Sequence, residues 1–335
     1  MDEIITLDYG SGGKKTSRLI ESEILSRFSN PALGELGDGA ILPGAEKIVF
    51  STDSFVVSPL FFPGGDIGKL AVCGTVNDIA MCGGEAKYLS LSLIIEEGLE
   101  RSALSRILDS IRAAAESARV QVVTGDTKVV ERGRGDGVYI NTAGIGFLRR
   151  AGLTPGAMRD GDAVLISGTA GDHGAAVMLA RGGLIDDSSG AVKSDCAALN
   201  GLVDALFASG AEIRCLRDPT RGGAATTLCE FAGSSGLGIE IEERDIPVSP
   251  AVAAACSLLG LDPLYCANEG KLLCVTSQET AHAALEAMRA HPLGRDAAVI
   301  GRVSAAAKGR VILRTAAGGG RVLHKLAGAQ LPRIC

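Results

Sequence analysis

The chain has few of the features that mark a metal-thiolate protein, a nucleic-acid binder or a membrane protein. Its nine cysteines (Cys73, Cys82, Cys196, Cys215, Cys229, Cys256, Cys266, Cys274 and Cys335) include no CxxC pair. Their odd number and scattered positions argue against both a disulfide framework and a zinc site. Histidines number only four, so a metal would have to be held by carboxylates, which suit a hard cation. The formal net charge of -6 leaves no basic stripe of the kind nucleic acid requires. No apolar run approaches the roughly 20 residues of a membrane span. The opening Met1-Asp2-Glu3-Ile4 has neither the basic nor the apolar region of a secretory signal. These absences lead us to expect a cytoplasmic protein that binds neither nucleic acid nor membrane.

What is present is a globular composition, 46% hydrophobic and 21% charged with 45 glycines, long enough for two cores. Ile20, Ile24 and Phe28 recur at helical spacing after a Gly-rich opening. Lys47 to Asp53 reads as a strand ending in an acidic loop, Asp66 as the cap of a helix running toward Cys82, and Tyr88 to Ile95 as a half-buried strand. A helix over Ser102 to Ala118 and strands at Val120 to Thr124 and Val138 to Leu148 follow. Pro155 and the glycines of Arg149 to Asp162 break the pattern. The boundary is therefore set there: an N-terminal domain over 1–150, a C-terminal domain over 151–326 and a tail over 327–335. The second half repeats the mixture. It carries strands at Ala163 to Ser167, Ile213 to Leu216, Leu272 to Thr276, Ala298 to Val303, Val311 to Arg314 and Arg321 to Lys325, with helices near Ala175 to Leu179, over Leu199 to Phe207 and after Gly222. The fold class is α/β (α+β).

Four acidic segments stand beside Gly, Ser, Thr or Asn: Gly37-Asp38-Gly39, Ser51-Thr52-Asp53-Ser54, Val76-Asn77-Asp78-Ile79 and Gly125-Asp126-Thr127-Lys128. Read as loops, they offer backbone donors and carboxylates for Mg²⁺ on a nucleotide; any one alone reads as a turn former. The segment Tyr9 to Thr16 resembles a phosphate-binding P-loop but fails its spacing, because Asp8 stands where Gly is needed and Lys15 where Ser or Thr is needed. A Gly-rich lid over phosphates and a plain flexible loop both remain open. Arg217-Asp218-Pro219-Thr220-Arg221-Gly222-Gly223 precedes a helix, where an anion could dock or Asp218 could serve as a cap. Gly171-Asp172-His173-Gly174 is a similar turn, in which a lone His is more often structural. Asn268-Glu269-Gly270-Lys271 puts a carboxylate on a loop before a strand, as a base or a plain turn.

Cys335 closes the sequence after Gln330-Leu331-Pro332-Arg333-Ile334. A CaaX prenylation signal needs its Cys earlier, so this one does not fit. At about 3.3 to 3.6 Å per extended residue, a tail from Ala327 spans roughly 30 Å, enough to reach a neighbouring cleft. The terminal carboxylate opposes thiolate formation there and Arg333 favours it, with the net sign open.

Taken together, Asp38, Asp53, Asn77-Asp78, Gly125 to Lys128, Gly171 to Gly174, Arg217 to Gly223, Asn268 to Lys271 and the Pro-Arg-Ile-Cys ending resemble the HypE family of hydrogenase maturation proteins, the carbamoyl dehydratases. The resemblance spans the whole chain. The wider group includes aminoimidazole ribonucleotide synthetase, thiamine monophosphate kinase and selenophosphate synthetase. The last carries Cys or selenocysteine in its Gly-rich loop, where this chain has Ser11. The resemblance implies a two-domain synthetase-like architecture, with a mixed-sheet N-terminal domain that dimerises around ATP and a mobile C-terminal tail.

It further implies that a carbamoyltransferase, HypF, loads Cys335 as a thiocarboxamide. ATP-dependent dehydration then leaves a thiocyanate whose cyanide passes, through the HypC and HypD scaffold proteins, to the iron of a nickel-iron hydrogenase. By the same resemblance Asp38, Asp53, Asp78 and Asp126 bind Mg²⁺, and together with Asn77, Gly125, Thr127 and Asp218 they bind the nucleotide. Lys128 would stabilise charge near the tail carboxamide and Glu269 would take a proton from its nitrogen. Two rivals stand beside this reading. A superfamily small-molecule synthetase or kinase leaves the tail unexplained, and a non-enzymatic thiol or metal carrier leaves the acidic segments unexplained.

Overall fold

The computed structural model describes residues 3–36, 39–186, 190–326, 328, 331 and 333–335. The chain opens with α1 (Lys14–Leu19), continued by a π-helical turn over Ile20–Leu25 and by α2 (Ser26–Phe28), and then forms α3 (Pro31–Gly34). β1 (Ile48–Phe55), the short pair β2 (Phe61–Phe62) and β3 (Gly65–Asp66), α4 (Ile67–Met81), β4 (Gly84–Glu96), α5 (Arg101–Ala118), β5 (Gln121–Val130) and β6 (Val138–Leu148) complete the first half. Its sheet has the order β1-β6-β4-β5, antiparallel except for the parallel β4–β5 pair.

α5 is amphipathic, with Leu104, Ile107, Leu108, Ile111 and Ala115 buried along one stripe. α4 is different. It is buried on nearly every side, because it packs at once on α5, on β1, β4 and β6, and on the second half of the chain. Asp66 caps it, accepting from the backbone N–H of Gly68 at 2.7 Å and of Lys69 at 3.0 Å. Gly74 keeps the helix close to β1, since a Cβ there would come within 2.9 Å of the Phe55 ring.

The second half comprises β7 (Ala163–Ile166), α6 (Asp172–Arg181), α7 (Asn200–Ala208), β8 (Ile213–Arg217), α8 (Gly223–Ser235), β9 (Gly238–Glu242), α9 (Pro250–Leu259), β10 (Leu273–Thr276), α10 (Ala281–Ala290), β11 (Ala298–Ser304), β12 (Val311–Arg314) and β13 (Gly320–Leu323). Its sheet runs β13-β12-β9-β11-β7-β10-β8. The mixed α/β architecture agrees with the sequence reading. In the second half three elements were not anticipated, β9, α9 and α10, and in the first half neither were the short α3, β2 and β3. For α9 the signal was present, with Ser249 as N-cap, Pro250 in the first turn and Gly260 left-handed at the end, but its Ala-rich body carries little periodicity.

The structure corrects one local reading. Three of the acidic segments do not lie on loops. Asp53 is inside β1, Asn77 and Asp78 are inside α4, and β5 continues to Val130, so that Gly125 to Lys128 belong to a strand. The β4–β5 ladder runs through them, pairing Leu91 with Gly125 and Ser92 with Asp126. A polar residue ends a strand only if no neighbour needs its backbone, and here β4 does.

Candidate active site

The floor of the cleft between the two halves is acidic. Asp53 faces α4 over Gly74, where an added Cβ would lie 3.6 Å from its Oδ2. One helical turn on, Asp78 accepts a hydrogen bond from Ser51 Oγ at 2.7 Å. From the second half come Asp218, buried on the loop after β8, and Glu269, 2% exposed on the loop before β10. Among the described residues, Glu269 Oε1 is one of the few buried side-chain atoms with no hydrogen-bond partner. Burial, then the Asp78 charge, pushes Asp218 up to about 7. Burial and Asp78 also raise Asp53, against the pull of Arg221. Burial together with Asp218, Asp195 and Asp53 raises Glu269 well above the usual carboxylate range. Like charges forced together in this way make a place for a cation.

A buried network fixes the Glu269 loop. Asp195 accepts from the backbone N–H of Glu269 at 3.0 Å and of Gly270 at 3.2 Å. Lys271 Nζ lies 3.2 Å from Asp195 and 3.4 Å from Asp172. Burial alone would lower Lys271, but the two carboxylates outweigh it and hold it above its ordinary value. Gly270 is needed because a Cβ would collide with the Asp195 carbonyl. Asn268 Oδ1 accepts from Gly171 N at 2.7 Å. Asn77, expected among the nucleotide ligands, has its side chain engaged within the protein. Its amide N–H donates to the Ala197 and Glu269 carbonyls and its oxygen accepts from Leu199 N, so the side chain ties the two halves together.

The described part of the tail is seated in this cleft. Val56 N donates to the Cys335 carbonyl at 3.2 Å and Ser58 N to the Arg333 carbonyl at 3.3 Å. Arg181 Nη2 donates to Arg333 O at 2.6 Å and its Nε to Ser58 O at 2.8 Å. Arg333 pairs with Asp136, and Ile334 is 2% exposed. The Cys335 thiol is pushed up to about 12 by burial first and by Glu269 second, with Arg221 pulling the other way. The net sign left open in the sequence is therefore upward, and Arg333 is engaged elsewhere. Pro332 and Asp38 lie outside the described residues.

Asp126 and Lys128 are in a different place. β1 and β5 are the two edges of the first sheet; three strand spacings separate them, roughly 14 Å. Lys128 Nζ donates to Asp126 Oδ1 at 2.7 Å and Thr127 N donates to the same oxygen at 2.9 Å. The Lys128 bond leads in holding Asp126 below the usual carboxylate range. Gly125 has a packing reason, since a Cβ would collide with the Leu91 carbonyl across the ladder. Asp126, Thr127 and Lys128 close one end of a cavity of about 310 Å³ whose other walls include Gly10, Gly12, Ile20, Leu33 and Leu93. The Gly-rich opening thus forms part of a pocket whose walls combine apolar side chains with Asp126 and Lys128.

The structure unites Asp53, Asp78, Asp218, Glu269 and Cys335 and leaves Asp126 and Lys128 apart within one chain. Among the described residues no three acidic, His or Cys side chains converge as a metal-ligand set. Mg²⁺ fits the chemistry nonetheless, because it takes one or two carboxylates and fills its remaining positions with water and phosphate oxygens. The sequence reading missed Asp195 and Arg181, which carry no motif and act by where the fold puts them. Arg221, which acts on both Asp53 and Cys335, lay within a quoted motif but was given no separate role.

The AIR synthase related protein N-terminal domain family matches residues 36–148 and its C-terminal domain family residues 159–314. Carbamoyl dehydratase HypE of Cupriavidus necator is 50% identical over 334 residues, covering 99% of this chain and 95% of the relative. A solved structure of hydrogenase maturation protein HypE in complex with ATP superposes with a TM-score of 0.95 at 49% identity, covering 98% of this chain and 99% of that one. HypE in a HypE-HypF complex gives 0.79 at 46% identity, covering 92% and 99%. No helix among the described residues is long and apolar enough to cross a membrane. With two family models and full-length relatives in agreement, this chain belongs to the HypE family of hydrogenase maturation proteins, within the AIR synthase related fold.

Proposed function

We propose that the protein is an ATP-dependent carbamoyl dehydratase whose substrate is its own tail. The S-carbamoyl group on Cys335 loses water to become a thiocyanate, the source of a hydrogenase cyanide ligand. The observation that carries this reading is the seat of Cys335: its thiol lies in the acidic cleft between the halves, under the influence of Glu269, Asp53 and Arg221. A thiol held at about 12 is a poor nucleophile. A neutral S-carbamoyl group, by contrast, costs less to bury than a thiolate. The seat therefore suits a loaded tail, and loading by a HypF-type carbamoyltransferase takes place with the tail out of the cleft.

In the dehydration the C–O bond and both N–H bonds of the carboxamide break and a carbon–nitrogen triple bond forms, one proton going to a base of the protein and the other leaving with the departing phosphate. Glu269 is built to accept a proton. Its raised pKa makes it a stronger base than an ordinary carboxylate, and its Oε1 has no competing donor. MgATP, when bound, supplies the phosphoryl group that carries the carboxamide oxygen away. Asp53, Asp78 and Asp218 would hold the magnesium and the phosphates.

The outer face of the first sheet favours a homodimer. Ile48 and Phe50 are 54% and 63% exposed and sit beside Phe147 and Ile145, which makes an apolar strip on an otherwise mixed surface. A second copy across that face would bring Asp126 and Lys128 of one subunit to the acidic cleft of the other, joining the parts that one chain keeps apart. The N-terminal half would then bind ATP, with the base in the cavity under residues 10–36 and the phosphates toward Gly125 to Lys128. HypC and HypD would take the cyanide onward in the cytoplasm.

The test is the mass of the C-terminal peptide after incubation with the carbamoyltransferase and carbamoyl phosphate, before and after MgATP. Gain of a carbamoyl group on Cys335, followed by loss of one water only with MgATP, is expected. Cys335→Ala should remove both changes and keep ATP binding. A loaded tail that keeps its mass in MgATP would return the chain to the small-molecule kinases and synthetases of the superfamily.

A further inference from the structure

His173 has no assigned part in the chemistry, and its surroundings give it one. The ring is fully buried at the start of α6. Nε2 lies 2.7 Å from the Ile334 carbonyl oxygen and Nδ1 lies 2.8 Å from Ser194 Oγ. Phe62 meets the ring edge-on, with centroids 5.4 Å apart. A carbonyl can only accept, so Nε2 must carry the hydrogen. Burial disfavours the imidazolium, which leaves Nδ1 as an acceptor for the Ser194 hydroxyl. That hydroxyl in turn accepts from Cys196 N at 3.1 Å. The Ile334 carbonyl thus selects the tautomer, and the 194–197 segment completes it by offering the Ser194 hydroxyl to Nδ1.

The same segment holds the Glu269 loop. Asp195 follows Ser194 and accepts from Glu269 N and Gly270 N, while Ala197 N donates to the Glu269 carbonyl at 3.3 Å. Ser194 N is anchored on Pro63 O at 2.7 Å. We propose that His173 is a positioning residue that latches the tail at Ile334. Through Ser194 it sets the seated tail in register with Glu269, so that Cys335 reaches its reacting position only when both are bound to one rigid segment. The proposal rests on Cys335 being the loaded residue, and its test does not need the dehydration.

The test is the rate at which Cys335 in the full-length protein is alkylated by iodoacetamide, read by peptide mass. Exposed Cys82 serves as the internal reference and buried Cys274 reports on unfolding. Seated, Cys335 is shielded and its thiol held high, so reaction follows the released fraction. His173→Ala is expected to speed Cys335 about tenfold relative to Cys82, because the Ile334 carbonyl loses its donor. His173→Gln keeps an N–H at similar reach and should return the rate to within about threefold of the parent. Ser194→Ala, which removes one hydroxyl, should speed it about threefold. If Cys274 also reacts in His173→Ala, the Ser194 variant decides. A Cys335 rate equal to the parent in Ser194→Ala and in a folded His173→Ala would overturn the latch. A parent protein that shows the alkylation differences but never loses water with MgATP would retain the latch and lose the dehydratase reading.

Discussion

Two regions of this molecule carry the aspartates assigned to nucleotide in the proposed function, and they treat them in opposite ways. In the interdomain cleft Asp218 is buried against Asp78 and pushed up to about 7. On the edge strand β5, Asp126 is exposed beside Lys128 and held below its ordinary range. The residue type is the same; solvent and the nearest charge set the sign. The cleft stores repulsion that a cation and a substrate relieve, whereas the edge is already neutralised and stays ready to be covered. The proposed site uses both, and the sheet keeps them roughly 14 Å apart in one chain. This separation is the physical case for a second subunit.

The largest expected effect lies in the cleft. Glu269→Gln keeps the shape and removes the base, so MgATP-driven loss of water from a loaded tail should slow by about 10² or more. The tail should still load, and thermal melting should not fall, because burial already disfavours the Glu269 charge and Gln keeps the shape without any ion to desolvate. An unchanged dehydration rate would take Glu269 out of the chemistry and leave it as part of the cation seat.

The next tests whether cleft and edge belong to one site. Asp53→Asn and Asp126→Asn should each weaken Mg²⁺-dependent ATP binding about tenfold or more. If the site is shared, dissociating and remixing the two variants rebuilds one intact site in each mixed dimer. Random mixing would then recover about one quarter of the parent activity. Recovery of none, with mixed dimers demonstrated, would place both aspartates in the same subunit's site.

The smallest effect is on stability and isolates the cleft. Folding raises the pKa of Asp218, so between about pH 4 and 7 the native protein holds a proton that the unfolded chain has released. Stability from this group is fullest below that window and is lost as pH rises through it, by up to about 4 kcal/mol. Asp218→Asn should flatten the dependence, and denaturant midpoints at pH 5 and pH 8 measure it. An equal slope in both proteins would mean that Asp218 is not carrying the repulsion.

Much of this was legible in the chain. The strand at Ile48–Phe55, the capped helix after Asp66, the amphipathic α5 and most strands of the second half follow from period and capping, which are local. The motifs at Asp53, Asp78, Asp218 and Glu269 also stood out, because carboxylates beside Gly, Thr and Asn are uncommon in a core. At Asp53 and Asp78 the secondary structure was misread for the same reason, whereas Asp218 and Glu269 lie on loops as expected. Gly125 looked like a phosphate loop and is a strand residue fitted against the Leu91 carbonyl. Asn77 looked like a ligand and is a tie between the two halves. Asp195, with no motif around it, gave no sign of setting the Glu269 loop.

The sequence by itself determined the α/β class, the inventory of carboxylates and the thiol at position 335, since composition, periodicity and residue chemistry do not depend on long-range contact. Only the tertiary structure decided which carboxylates come within reach of one another, that the thiol is driven up and not down, that the His173 ring meets the Ile334 carbonyl, and that Asp126 stands apart from Asp53. Those outcomes depend on burial and on charges brought together from far along the chain, and neither exists until the two sheets close around α4.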